Sequence, residues 1–133
     1  MAWLVDTSVL VDIRLKDPTF GIASATFLAE RLNDGLVICP VTYVELAPAF
    51  GGKQSLQESF LREVGVTWRE PWTWADTLAS HQLWVEQVKR KRAGQAGKRP
   101  IADVLIEAFA QRFQGLITRD PRHFTAIPTL VPR

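Results

Sequence analysis

The chain has 133 residues, 47% of them hydrophobic and 23% charged. That suits one globular domain spanning residues 1–133 and leaves little room for a second. The net charge of +2 is too mild to argue for a nucleic-acid partner by itself, and no apolar run approaches the roughly 20 residues of a membrane span. The single cysteine, Cys39, excludes an internal disulfide. It follows Leu36, Val37 and Ile38 and is expected to be a small buried hydrophobe.

The opening MAWLVDTSVL has no basic leader and no small-residue cleavage site, so the sequence reads as that of a cytoplasmic protein. Within it, residues 3–6 form a short apolar run suited to a buried strand. Thr7 or Ser8 can then cap a short helix. Residues 21–33 place Ile22, Phe27, Leu28 and Leu32 on one helical face, with Gly35 as the stop. Residues 36–39 read as a second strand. A helix over 41–50 follows Pro40 and is kinked or ended by Pro48. An amphipathic helix spans 55–64, a weaker strand 66–68, and a long helix 72–92 carrying Trp72, Leu78, Leu83 and Val88. The glycines of RAGQAGKR break that helix, and Pro100 suits the first turn of the next, 100–113. Strands at 115–118 and 129–131 complete the pattern. Short apolar strands alternating with helices predict an α/β fold with a parallel sheet covered on both faces.

In such a sheet, right-handed crossovers bring strand C-termini and helix N-termini to one edge, where ligands bind. Asp6 ends the first strand. Glu45 lies early in the helix after the second. Asp103 lies in the first turn of the helix before the fourth, and Asp120 follows that strand. Singly, each acid also fits a cap or a turn; together they predict one acidic rim. Packed carboxylates repel unless a cation joins them. Oxygen donors without a thiolate–imidazole set favour Mg²⁺ or Mn²⁺ over zinc. Such an ion suits phosphodiester hydrolysis, by polarising a phosphoryl oxygen and lowering the pKa of a bound water. Asp12, one and a half helical turns beyond Asp6, is expected to point elsewhere, and Asp17 before Pro18 reads as a turn.

These residues resemble a known family. DTSVLVD after an N-terminal strand, the Glu of VTYVELAPAF, the helix PIADVLIEAFA and the strand end TRDPRHF are similar, as an ordered set, to PIN-domain ribonucleases. They are most similar to the VapC-type toxins of bacterial toxin–antitoxin pairs. The resemblance runs from about residue 2 to the end of the chain. It implies a three-layer α/β/α sandwich with a central parallel sheet and a Mg²⁺- or Mn²⁺-dependent endoribonuclease. It implies an acidic pocket of Asp6, Glu45, Asp103 and Asp120, with Asp6 and Asp103 as principal metal ligands. Glu45 and Asp120 would bind a second metal or orient the attacking water, and Thr7, Ser8 and Thr118 would hold the carboxylates in place. A homodimer and a cognate antitoxin that occludes the site are implied as partners. One departure stands out: many relatives carry a later acid in the last motif, where this chain has His123. The fourth role therefore falls to Asp120.

Six of the 16 Lys and Arg residues lie in KRKRAGQAGKR, residues 89–99, which leaves the rest of the chain net acidic. This stretch, including Lys98 and Arg99, fits RNA phosphates, an acidic antitoxin or plain solvent. Arg119, beside Asp120, is the better single candidate for a phosphate contact, with Arg122 and His123 near the same rim. The five tryptophans point more to core or dimer packing than to base stacking. Two other readings compete with the nuclease. A non-catalytic module of the same fold would bind nucleic acid or a regulatory partner with its acids idle. A receiver-type phosphotransfer protein would need an acceptor Asp ending the third strand, where this chain has Arg69, Glu70 and Pro71.

Overall fold

The computed structural model describes residues 2–133. Five short parallel strands, β1 (Trp3–Val5), β2 (Leu36–Val37), β3 (Val66–Thr67), β4 (Leu116–Ile117) and β5 (Thr129–Leu130), form one sheet in the order β3-β2-β1-β4-β5. Leu4 of β1 lies between Val37 of β2 and Leu116 of β4. The chain winds outward from β1 in both directions, so the crevice beyond its carboxyl end, between β1 and β4, is the switch point where such sheets bind ligands.

The pleat divides the core. Val5, Leu36 and Ile117 point to one face, with Val9, Leu10, Phe27, Leu28, Leu46, Phe50 and Leu61 from the helices packed over them. Leu4, Val37 and Leu116 point to the other, beneath Ile106, Phe109 and Ala110. The result is the expected three-layer α/β/α sandwich. The helices are α1 (Thr7–Arg14), α2 (Gly21–Ala29), α3 (Pro40–Glu45), α4 (Gln54–Glu63), α5 (Trp74–Arg92) and α6 (Ile101–Ala110). Cys39 is buried, as its setting predicts, and burial pushes its thiol up to about 11.

Several expectations need correction. The helix expected to reach residue 33 ends at Ala29, and Leu32 falls in the 3-10 turn Leu32–Asp34. Ile22 is 86% exposed and Leu32 50%. The inner face of α2 keeps the expected Phe27 and Leu28 and adds Gly21 and Ser24, because small residues allow α2 to close on α1: a Cβ at Gly21 would lie 3.0 Å from the Asp12 carbonyl. Pro40 sits inside the first turn of α3. Pro48 has no N–H for the Val44 carbonyl, and the backbone tightens into the 3-10 turn Ala47–Phe50. The long helix begins at Trp74, under a capping box of Thr73 and Asp76. Trp72 lies ahead of it, stacked on Phe109 at 5.8 Å. Leu78 faces solvent, while Asp76, Ser80 and Gln87 are the buried positions of α5. Here hydrogen bonds and an ion pair to Arg112 replace the apolar stripe that periodicity suggests.

Gly115 opens β4 at φ +155, and a Cβ there would collide with the Pro128 carbonyl. Its own carbonyl accepts from Leu4 N at 2.9 Å. Glycine is thus what lets β4 lie close to both neighbours and carry Thr118 and Asp120 to the rim.

Candidate active site

β1 ends by donating Asp6 N to the Ile117 carbonyl of β4 at 2.9 Å. The side chain of Asp6 therefore emerges where the two strands stop. Its Oδ1 accepts from Thr7 N at 2.8 Å, which makes Asp6 the cap of α1, a role its position also allowed, rather than Thr7 or Ser8. Its Oδ2 accepts from Thr118 Oγ1 at 2.8 Å and Ser8 Oγ at 3.3 Å. Thr118 Oγ1 in turn accepts from Asp120 N at 3.0 Å, so one buried hydroxyl ties the first acid to the backbone of the last.

Glu45 closes α3. The Thr7 hydroxyl lies 2.6 Å from Glu45 Oε1 and 3.1 Å from the Thr42 hydroxyl. With a single proton, Thr7 donates to the carboxylate and accepts from the buried Thr42. Asp103 sits in the first turn of α6. The imidazole of His123 stands between it and Asp120, with Nδ1 3.6 Å from an oxygen of each. Asp6, Thr7, Ser8, Glu45, Asp103, Arg119, Asp120 and His123 all line one cleft of about 630 Å³, with Val11, Phe20 and Phe124 as apolar wall.

Burial pushes the Asp6 carboxyl up to about 6. The hydrogen bond from Thr118 opposes this, and the negative charge of Asp103 adds to it. Among the described residues no basic side chain pairs with Asp6.

A model of the PIN domain family matches residues 3–130. The chain belongs to the PIN-domain family. Among solved structures it is similar to a chain in the crystal structure of VapBC2 from Rickettsia felis bound to a DNA fragment from their promoter. The two share 15% identity over 98% of each chain, with a TM-score of 0.71, a likeness of fold. A search of curated proteins found no match.

In this PIN domain the carboxylates and hydroxyls around the cleft offer oxygen donors, as a hard divalent cation requires, with the His123 imidazole the one nitrogen ligand type among the cleft-lining residues. A buried carboxylate with a like charge beside it and no basic partner is a setting that such a cation relieves. Asp6 and Asp103 fit it best. Among the described residues, however, no three His, Cys, Asp or Glu side chains form a closed metal-binding group. Glu45 is turned to Thr7, and Asp120 toward His123 and Arg122. The acids ring the cleft without meeting at a point.

Of the basic residues singled out in the sequence, Arg119 lines the cleft, while Lys98 lies exposed outside it. Arg99 is mostly buried: Nη1 lies 2.9 Å from Glu107 Oε1, and Nη2 donates to the Asp103 carbonyl at 3.4 Å. Glu107, which sequence reasoning passed over, also accepts from Ala126 N at 2.9 Å. One buried carboxylate thus binds α6, the end of the basic stretch and the segment after Asp120. A charge among the apolar positions of IADVLIEAFA was the available signal. Asp12 is expected to point away from the acids of the rim. It is buried outside the cleft lining, yet it reaches the cleft through an ion pair from Asp12 Oδ2 to Arg119 Nε at 2.7 Å.

Proposed function

We propose that this PIN domain is a Mg²⁺- or Mn²⁺-dependent endoribonuclease of the VapC type, the toxin of a toxin–antitoxin pair. The observation that carries the reading is Asp6: a buried carboxylate gripped by three hydrogen bonds, pushed up to about 6 and facing Asp103 without a basic partner. Asp6 and Asp103 would hold a divalent cation, with Glu45 and Asp120 completing the set or orienting the attacking water. When bound, the cation supplies a polarised phosphoryl oxygen and a water of lowered pKa.

The chain's own residues do the positioning. Thr118 and Ser8 aim Asp6, and Thr7 aims Glu45. Hydroxyls that orient carboxylates in this way matter nearly as much as the carboxylates. Thr118 also fixes the backbone of Asp120. Arg119 and the exposed Lys98 supply positive charge for the RNA strand, whereas Arg99 serves by anchoring α6 through Glu107.

A VapBC2 assembly as structural neighbour supports an antitoxin as protein partner. Trp74 and Leu78, exposed one turn apart on α5, suit a homodimer or antitoxin contact. The open spacing of the acids favours a second reading, a non-catalytic module of the same fold that binds nucleic acid or a regulatory protein. The two part in one experiment: purified wild type and Asp103→Asn are incubated with total cellular RNA in Mg²⁺, Mn²⁺ or EDTA, and the ends are sequenced. Metal-dependent cuts at discrete positions, absent in Asp103→Asn, are expected. A folded wild type that binds RNA but cuts nothing in either metal would favour the binding module.

A further inference from the structure

Arg119 follows Thr118 directly, but its side chain does not turn to the acids beside it. Its Nε lies 2.7 Å from the buried Asp12 Oδ2, and its guanidinium carbon lies 4.4 Å over the ring centre of Phe20. Both supports are anchored by their own elements. Asp12 is held within α1. Phe20 is presented by a turn whose backbone N–H groups at Thr19 and Phe20 both donate to Asp17 Oδ1, at 2.9 and 2.8 Å. Gly21 then packs that turn against the Asp12 carbonyl.

A guanidinium ion-paired at its Nε and stacked on one face has less rotamer freedom left to lose on binding. Arg119 is still 36% exposed and lines the cleft, and among the described residues its two terminal nitrogens have no hydrogen-bond partner. Arg112, by comparison, is engaged by Asp76, Glu70 and the Pro71 carbonyl. Arg119 instead keeps a two-pronged donor facing the open space. Phosphate oxygens match that fork.

Position decides which phosphate. Asp12 lies six residues along α1 from Asp6, about 9 Å at the helical rise. The guanidinium therefore rests against the body of α1, whereas Asp6 caps the N-terminus of that helix.

We propose that Arg119, seated on Asp12 and Phe20, is a subsite for a phosphate of the RNA strand next to the one being cut, with Asp12 as its positioning residue. This rests on the ribonuclease reading for the identity of the strand, but not on cleavage itself.

The test measures binding of a fluorescent single-stranded RNA oligonucleotide in EDTA over a range of salt, and KM and kcat for its cleavage in Mn²⁺. Arg119→Met should weaken binding about tenfold and reduce the slope of log affinity against log salt by about 0.7, the value of one phosphate contact on a single strand. In cleavage the loss should fall on KM, with kcat retained. Asp12→Asn and Phe20→Leu keep the cation and should weaken binding several-fold with the salt slope unchanged, an effect that a merely structural role would not produce. Unfolding midpoints identify any variant that fails to fold, and Phe20→Leu, on the surface, guards against that failure in Asp12→Asn. Unchanged affinity and slope in a folded Arg119→Met would overturn the subsite, as would a loss confined to kcat. If binding behaves as expected but no metal supports cleavage, the nuclease reading fails and the subsite stands. If wild type cuts and Arg119→Met matches it in KM, the reverse holds.

Discussion

The two walls of the cleft are built differently. On the sheet side, Asp6 is almost fully buried, and both its oxygens accept hydrogen bonds from groups fixed by β1, β4 and α1. On the opposite side, the side chains of Asp103 and Asp120 are 23% and 45% exposed, and their shared neighbour His123 is 3.6 Å from each, beyond a proper hydrogen bond. One wall is fixed before anything binds; the other has room to adjust. A single anchored carboxylate sets where a cation would sit, and looser partners can close around it without each having been prepaid in strain.

The difference between the walls should show first in cleavage. Asp6→Asn and Asp103→Asn should both reduce metal-dependent RNA cleavage to background. Their stabilities should diverge. Asp6→Asn removes a buried charge and should raise the unfolding midpoint in the absence of metal. Asp103→Asn, near the surface, should stay within about 0.5 kcal/mol of wild type. Equal shifts in denaturant unfolding would contradict the asymmetry.

Stability should also depend on pH through Asp6. The folded-state carboxyl of Asp6 titrates at about 6, above its ordinary 3.8. Between these values the folded protein binds more protons than the unfolded chain. Stability without metal should therefore fall as pH rises from about 4 to about 6, by about 3 kcal/mol in all. Urea unfolding at several pH values measures this. Asp6→Asn should flatten that part of the profile, and added Mg²⁺ or Mn²⁺ should offset the loss above pH 6.

Thr118→Val tests the link between the walls, since that hydroxyl donates to Asp6 and accepts from Asp120 N. A loss of about 10–100-fold in cleavage rate or metal affinity is expected, read from Mn²⁺ titrations of the variant. His123→Ala is the mildest case. Exposed, loosely placed charge pairs contribute about 0–1 kcal/mol, so cleavage should change by no more than about fivefold. A collapse of activity in His123→Ala would give the imidazole a direct part in the chemistry.

What could be read from the sequence follows the same division. The α/β order and the gathering of Asp6, Glu45, Asp103 and Asp120 at one edge were legible because strand ends and helix starts in a parallel sheet converge by topology. Side-chain pairing at longer range was not. Arg99 sits among six Lys and Arg residues and reads as a solvated charge, yet its partner Glu107 lies a full helix-turn beyond Asp103 and buries it. Arg119 reads as free, and only the fold brings Asp12 and Phe20 beneath it. The inner face of α5 misled for a related reason. Its buried Asp76, Ser80 and Gln87 are satisfied by Arg112, by backbone and by the Gly97 carbonyl, and hydropathy carries no sign of such partners.

Asp6 is the residue at which a divalent cation should be held. Mn²⁺ binding to the purified protein, followed by electron paramagnetic resonance alongside a folded Asp6→Asn variant, tests this without requiring a substrate. Saturable binding by wild type that disappears in Asp6→Asn is the predicted result. Wild type that binds no Mn²⁺, or Asp6→Asn that binds it as tightly, would contradict a cation site at Asp6.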